Sequence, residues 1–433
     1  MDQTLIQTLL DRFSCPLYVF EETLLEERIR LLKNALPEDV KLCYAVKANP
    51  FIARFLEEKV DRFEICSPGE MYICEMQKVP AGKFVLSGVY KDEPSMRYAF
   101  ENGLCSGILT AESPAQFELL FRLAREYNQP LRLLLRLTSG NQFGMEEEDI
   151  LRLMRRCTEP GSEESRYMTI AGIQFFSGTQ KTSLKKTRRE FAMLDDFLDR
   201  IREETGTGAG ELEYGPGFPA AYFEGETFDE EAYLKEFREL LEGMRNRLPV
   251  TLELGRGIAA SCGSLLSRVV DVKCCHHENY AILDSGIHHL TYYGQFMAMK
   301  QPLCELYPPR ERAEETEGAE AAEGDAGSGT AAGDAGSEAA AGAENVWTLC
   351  GSLCTINDLL VKRMPIDRLS VGDVVIFHNT GAYSMTEGIS LFLSRDLPAV
   401  VWVQKDGQIQ LLREAEHTWK LNAGMAGGSV QPQ

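Results

Sequence analysis

The stretch CYAVKANP, residues 43–50, ends an apolar, strand-like run on a charged side chain, Lys47. An ammonium is costly to bury unless a partner compensates it or its pKa falls, so this lysine is either a solvated strand end or a chemical tool. If KLCYAVK is a strand, period-two alternation puts Lys47 on the same face as Cys43 and Ala45, with Leu42, Tyr44 and Val46 on the other. Seven further β-rich runs follow, at RFEICS (62), KFVLSG (83), SGILTA (106), LRLLLRLT (131), IAGIQFF (170), ELEYG (211) and VTLEL (250). Between nearly all of them lie segments such as ESPAQFELLFRLAREYN and TRREFAMLDDFLDRIREE, with apolar residues three and four apart. Strands alternating with helices in this way predict an α/β fold of the (β/α)8 barrel type, with a doubly wound open sheet as the structural alternative. In a barrel, Lys47 points inward at the C-terminal rim, where barrel enzymes carry their chemistry, and the small side chains beneath it leave space for a ligand.

The barrel is expected over residues 35–262. From residue 263 the texture changes to strand-like runs with turns: LLSRVVDVKC, YAILDSG, VWTLC, DVVIFH, AVVWVQ and QIQLL. These predict a second, β-rich domain over 263–420, joined by a helix and the strand PLYVF from residues 1–34. Residues 313–344 hold nine acidic side chains and no basic ones among Ala, Gly, Ser and Thr, too little apolar surface to fold, and are expected to be a disordered insertion in a surface loop. The end, 421–433, is expected to be a flexible tail.

Over 433 residues the formal charge is −21, which argues against nucleic acid or an anionic membrane as partner, since both require clustered Lys and Arg. No long apolar run or secretion signal is visible, and twelve irregularly spaced cysteines fit reduced thiols, so a cytoplasmic protein is expected. CCHH at 274–277 lacks the paired spacing of zinc ligands, and no metal site is expected.

Two later stretches belong with Lys47 on one rim. YGPGF (214–218) is a glycine-containing turn directly after the seventh barrel strand, where free amides can cradle a phosphate. ELGRG (253–257) puts Glu253 at the end of the eighth, with Arg256 beyond it. A lysine to bind an aldehyde, a loop for a phosphate and an acid to keep a pyridine nitrogen protonated are together what pyridoxal 5'-phosphate requires.

On these motifs the chain resembles the fold-type III pyridoxal phosphate-dependent decarboxylases, the diaminopimelate, ornithine and arginine decarboxylase group. YAVKANP resembles the family's Schiff-base motif, which implies Lys47 as the attachment point. FEICSPGE resembles the next segment, with Glu64 in the acidic position near the cofactor. RLTSGNQFGM carries Arg136 with Phe143 and Gly144. EYGPGF resembles the phosphate loop, with Gly215 and Gly217 flanking Pro216 where the family has glycine, and ELGRG resembles the motif of Glu253, Gly255 and Arg256, with Leu254 in place of proline. In GIQFFSGTQ the departure is larger: Phe176 stands where the family stacks a histidine on the cofactor ring, with Thr179 near the family's serine. GSLCTINDLL and NTGAYSM resemble the segments that bring Cys354, Asp358 and Tyr383.

The resemblance implies a barrel plus β domain working as a head-to-tail homodimer, with Cys354 entering from the partner chain as proton donor and Tyr383 beside the phosphate of its own chain. It implies an amino-acid decarboxylase, in which Glu253 strengthens the ring as an electron sink once CO2 leaves. An amino-acid racemase of the same fold and a non-catalytic pyridoxal phosphate-binding homologue are the alternatives. An arginine against the ring nitrogen marks the racemase, and a non-catalytic homologue could do without Lys47 or Cys354. The residue after the cysteine, acidic in diaminopimelate and ornithine decarboxylases, is Thr355 here, which relaxes selection for a distal ammonium. Asp358 remains as a candidate for binding one. The expected substrate is a free diamino acid, narrowly ahead of a conjugated or carrier-tethered amino acid.

Overall fold

The computed structural model describes residues 1–309 and 345–424, so the acidic segment 313–344 and the tail beyond 424 lie outside the described residues. The expected barrel closes. Strands β2 (Lys41–Ala45), β3 (Arg62–Ile65), β4 (Phe84–Leu86), β5 (Ile108–Ala111), β6 (Leu131–Leu137), β7 (Met168–Phe176), β8 (Glu211–Gly215) and β9 (Val250–Leu254) form a closed parallel ring, with β1 (Leu17–Glu21) preceding it. Because β2 pairs with both β3 and β9, an open doubly wound sheet is excluded.

Alternation explains why the ring is packed on two sides. Cys43, Val85, Ile108 and Leu134 form a small cluster of their own inside it, while Leu42 and Tyr44 belong to the large cluster under the helices. Helix Pro114–Glu126 is typical of the outer ring. Ser113 caps it by accepting from the Gln116 amide at 3.1 Å, Pro114 supplies its first turn, and Phe117, Leu120 and Leu123 are buried against the sheet. Each such side chain contributes about 1.5–3 kcal/mol, so burial rather than propensity holds the helix down.

Strand β2 stops two residues short of the expectation. Val46–Ala48 is a single 3-10 turn, and Lys47 sits on it, just past the strand. The turn is tied to the second domain: the Tyr383 amide donates to the Ala48 carbonyl at 2.7 Å, and Asn49 Nδ2 donates to the Gly381 carbonyl at 2.9 Å.

The second sheet is built from β1 together with β10 (Gly263–Cys275), β11 (Glu278–Leu283), β12 (Cys304–Tyr307), β13 (Val346–Cys350), β14 (Leu359–Pro365), β15 (Val374–Phe377), β16 (Ala399–Val403) and β17 (Ile409–Arg413). Its main path runs β14-β13-β11-β10-β1-β16-β17, while β15 bridges β10 and β12. Strand β1 lies antiparallel to β10 and parallel to β16. Two strands are absent from the sequence reading. β12 is only four residues long before Pro308, and β14 carries Lys362 and Arg363 and ends on Pro365, so neither shows a clear apolar alternation. In the CCHH stretch Cys274 and Cys275 end β10 with exposed side chains and His276 and His277 make the turn into β11, and no group of three potential metal ligands occurs among the described residues.

Candidate active site at the barrel rim

Lys47 is half-buried and faces two carboxylates from neighbouring strands. Its Nζ donates to Glu64 Oε2 at 2.6 Å, lies 3.6 Å from Glu253 Oε1 and approaches Cys66 Sγ at 3.4 Å. Burial alone would depress the ammonium, but the Glu64 charge, with Cys66 and Glu253, outweighs it and keeps the amine protonated. Glu64 answers in the opposite sense: burial opposes its charge, yet Lys47 brings it down to about 2. Burial, then the charge of Glu64, pushes Glu253 well above the usual carboxylate range. The two carboxyls are thus split, one held anionic by the lysine and the other inclined to keep a proton.

Beneath them, inward-facing positions continue the polar column. Gln174 Nε2 donates to Glu213 Oε1 at 3.0 Å and to Glu253 Oε2 at 3.3 Å, while its own carbonyl oxygen has no protein partner. Glu213 is fully buried, and burial pushes it up to about 7 despite Arg62 at 3.4 Å. Arg62 also binds Glu211 at 2.7 Å, toward the floor of the barrel.

The wall formed by β7, β8 and β9 is open backbone. Gly217 has φ +66°, and a Cβ there would run into the Gly178 carbonyl, so the turn requires glycine. A Cβ on Gly255 would lie 2.7 Å from the Tyr383 hydroxyl, and one on Gly215 would strike the ring of Phe176. Arg256 is buried here, its Nε donating to Thr179 Oγ1 at 3.3 Å and its NH1 to the Tyr222 hydroxyl, with its guanidinium 4.7 Å from the Tyr383 ring centre. Burial pushes the Tyr383 phenol up to about 12, which keeps it a donor at neutral pH. Thr179, Gly215, Gly217, Arg256 and Tyr383 therefore meet on one side of Lys47, and the Phe176 ring covers Gly215 beside them. On another part of the rim Arg136 binds Glu112 at 2.6 Å and stacks over Phe143.

The 351–358 loop of the second domain is different. Cys354 is exposed, Thr355 is half-buried, and Ile356 is 85% exposed. Asp358 does not face outward. It is 2% exposed, with Oδ1 accepting the Ile287 amide at 2.8 Å and Oδ2 the Leu353 amide at 2.7 Å. The expectation that Asp358 meets a substrate amine does not match this placement: one oxygen is engaged by the loop's own Leu353 amide and the other by the Ile287 amide outside it, so the carboxylate ties the turn that carries Cys354 to its neighbour. Immediately after Ile287, His288 and His289 are buried with their rings 3.7 Å apart, and burial lowers them to about 3 and about 4.

The family pattern described as pyridoxal-dependent decarboxylase, pyridoxal binding domain, matches residues 22–260, more than half of the chain. The chain belongs to the pyridoxal-dependent decarboxylases. Among curated relatives, the L-glutamyl-[BtrI acyl-carrier protein] decarboxylase of Niallia circulans is 24% identical over 95% of this chain and 94% of its own length. The diaminopimelate decarboxylase of Pseudomonas aeruginosa is 26% identical over 98% and 95%. Two solved structures share the fold: the diaminopimelate decarboxylase of M. jannaschii with L-lysine (TM-score 0.76, 21% identity, 96% of this chain and 93% of that one) and the lysine/ornithine decarboxylase of Vibrio vulnificus with putrescine (TM-score 0.73, 20% identity, 92% and 97%).

Pyridoxal phosphate is the decarboxylase's cofactor, and the residues present fit it. The glycine-lined wall with the Arg256 cation and the Tyr383 hydroxyl would hold the phosphate, Lys47 would bind the aldehyde, and the carboxyl of Glu253 would meet the ring nitrogen. Sequence reasoning passed over Cys66, Gln174 and Glu213. The last two were visible in principle as polar side chains at inward positions of IAGIQFF and ELEYG; Cys66 gave no signal among twelve cysteines.

Proposed function

We propose that the decarboxylase removes the α-carboxylate of an amino acid, with Lys47 as the covalent attachment point for pyridoxal phosphate. Bound, the cofactor supplies the sink for the electron pair left when CO2 departs. The chain's own residues do the rest. Arg256, Thr179, Tyr383 and the amides around Gly215 and Gly217 bind the phosphate and fix the ring's position. Phe176 covers one face of the ring and excludes water. Glu253 would hold a proton at the ring nitrogen, and Glu64, 2.6 Å from Lys47 Nζ, orients that amine. Glu253 Oε1 at 3.6 Å from Lys47 Nζ, an acid where a racemase of this fold would carry an arginine against the ring nitrogen, is the single observation that supports decarboxylation over racemisation.

Cys354 is the proton donor to the substrate carbon in this reading, and it acts in the site of a second copy arranged head to tail. Its support is an exposed thiol on a loop whose buried aspartate gives it a fixed shape. The free thiols support a reducing compartment such as the cytoplasm. No helix among the described residues is long and apolar enough to cross a membrane.

For the substrate, a diamino acid is one candidate and a conjugated amino acid the other. The burial of Asp358 favours the second: with Thr355 beside the cysteine, the loop presents no free carboxylate, and a charge-assisted contact of about 1.5–3 kcal/mol to a distal ammonium is missing. The relative that acts on a carrier-linked glutamyl group fits that chemistry. CO2 release from free diaminopimelate, lysine and ornithine against their acylated and carrier-linked counterparts, scored by kcat/KM, tests it. A hundredfold preference for a free diamino acid overturns the conjugated reading. Loss of optical rotation without CO2 release overturns decarboxylation itself.

A further inference from the structure

The column below Glu253 has no part in the chemistry assigned so far, yet its polar side chains are almost completely buried. Gln174 is 1% exposed and Glu213 0%, and one amide nitrogen serves two carboxyls on either side of it. An amide that only filled space would place both its polar ends on partners. Here the carbonyl end is left without one so that the donor end can reach both acids.

We propose that Gln174 and Glu213 form a tuning layer beneath the cofactor ring, in which the charge on Glu213 and the shared Gln174 donor together set the pH at which Glu253 becomes anionic. This rests on the reading that Glu253 meets the ring nitrogen. The two effects have opposite signs. An ionised Glu213 repels a second negative charge and favours the protonated form of Glu253, whereas the Gln174 donor stabilises the anion. The groups facing Glu213 are Cys43 from β2, Arg62 and Glu64 from β3, Gln174 from β7, Glu211 on its own strand and Glu253 from β9; Arg132 of β6 approaches Glu211 at 4.0 Å. Among the described residues Arg62 is the one cation in contact with Glu213, and its shorter contact, 2.7 Å, is to Glu211. Burial pushes Glu213 up to about 7, so its charge changes near neutral pH. Gln174 and Glu213 act through Glu253, by way of the Gln174 donor that joins the two acids, and are positioning residues.

The test is the dissociation constant of pyridoxal phosphate from the full-length protein, measured by absorbance between pH 5.5 and 9. For each variant the readout is the pH at which affinity reaches half its maximum. Glu213→Gln lowers that midpoint and Gln174→Met raises it, each by about one pH unit, and Glu213→Asp restores the native profile. Damage to packing alone would weaken affinity at every pH and move both midpoints in one direction, or neither. Coincident midpoints for the native protein and both variants, with Glu253→Gln still flattening the profile, overturn the tuning layer and leave Glu253 in place. A native profile for Glu253→Gln removes the ring-nitrogen reading and this inference with it. If Glu213→Gln does not fold, the sign of the Gln174→Met shift decides: a lowered or unchanged midpoint overturns the proposal.

Discussion

The barrel rim and the 351–358 loop both bury a carboxylate next to a reactive side chain, and they use it in opposite ways. At the rim, Glu64 is paired with the reactive Lys47 itself and sets its charge. In the loop, Asp358 is turned away from Cys354 and binds backbone amides, so that it sets geometry and leaves the thiol to the surroundings it meets. One half carries its chemical environment within the chain, while the other is a shaped but bare projection. The lesson is that a carboxylate near a functional residue tunes charge when it faces the residue and shape when it faces the backbone.

The sharpest way to break this contrast is to disable each half separately. Lys47→Ala should lower kcat by at least about a thousandfold and prevent borohydride from fixing the cofactor to the chain. Cys354→Ala should be nearly as inactive yet keep covalent attachment. Mixing the two inactive proteins, once subunit exchange is demonstrated, should restore a fraction of the activity; no recovery would mean that the loop serves its own chain.

A smaller effect separates shape from chemistry. Asp358→Ala leaves one buried and one partly buried amide without acceptors and should cost about 3 kcal/mol of stability in urea unfolding, whereas Cys354→Ala should leave the midpoint unmoved. Equal stability of the two variants would refute the turn-forming role.

The histidines behind the loop extend the comparison to acid. Their folded-state values lie below the ordinary 6.5, so they contribute stability that is fully present above pH 6.5 and is lost as pH falls toward 4. Between pH 6.5 and 5 each should cost up to about 2 kcal/mol. His288→Asn should therefore lose less stability on acidification than the native chain, and an identical loss would show that the ring is not desolvated.

The smallest expected effect is at the rim: Phe176→Ala should weaken cofactor retention about tenfold through lost stacking and burial, and Phe176→His should be tolerated. Abolition of activity by histidine would indicate a pocket reshaped around the phenyl ring.

How far the sequence could carry these assignments depended on which physical signal each residue leaves. The barrel was readable because inward and outward faces differ in every strand, so KLCYAVK and VTLEL declare themselves by period and by the helices between them. Lys47, Glu253 and the glycine wall were readable because charge at a strand end and glycine in a turn are local facts. The orientation of Asp358 is not local: whether it faces a ligand or the Ile287 amide depends on a contact across 71 positions. Strands β12 and β14 escaped for a related reason, since their short or charged sequences become strands only through the pairing that β15 and β13 offer.

The place of β1 in the second sheet has a consequence for how the molecule is made. Its five residues precede the entire barrel, yet they hydrogen-bond to Gly263–Leu266 on one side and to Ala399–Val403 on the other. During synthesis, that strand leaves the ribosome early and keeps an unpaired edge while the whole barrel is translated; its second neighbour arrives some 380 residues later. The barrel has every strand of its ring within residues 41–254 and can close first, whereas the second domain waits for both ends of the chain. Nascent chains stalled far enough beyond residue 262 for β9 to have cleared the ribosome should accordingly contain a protease-resistant barrel from which residues 1–21 are readily trimmed, and release of the complete chain should protect them.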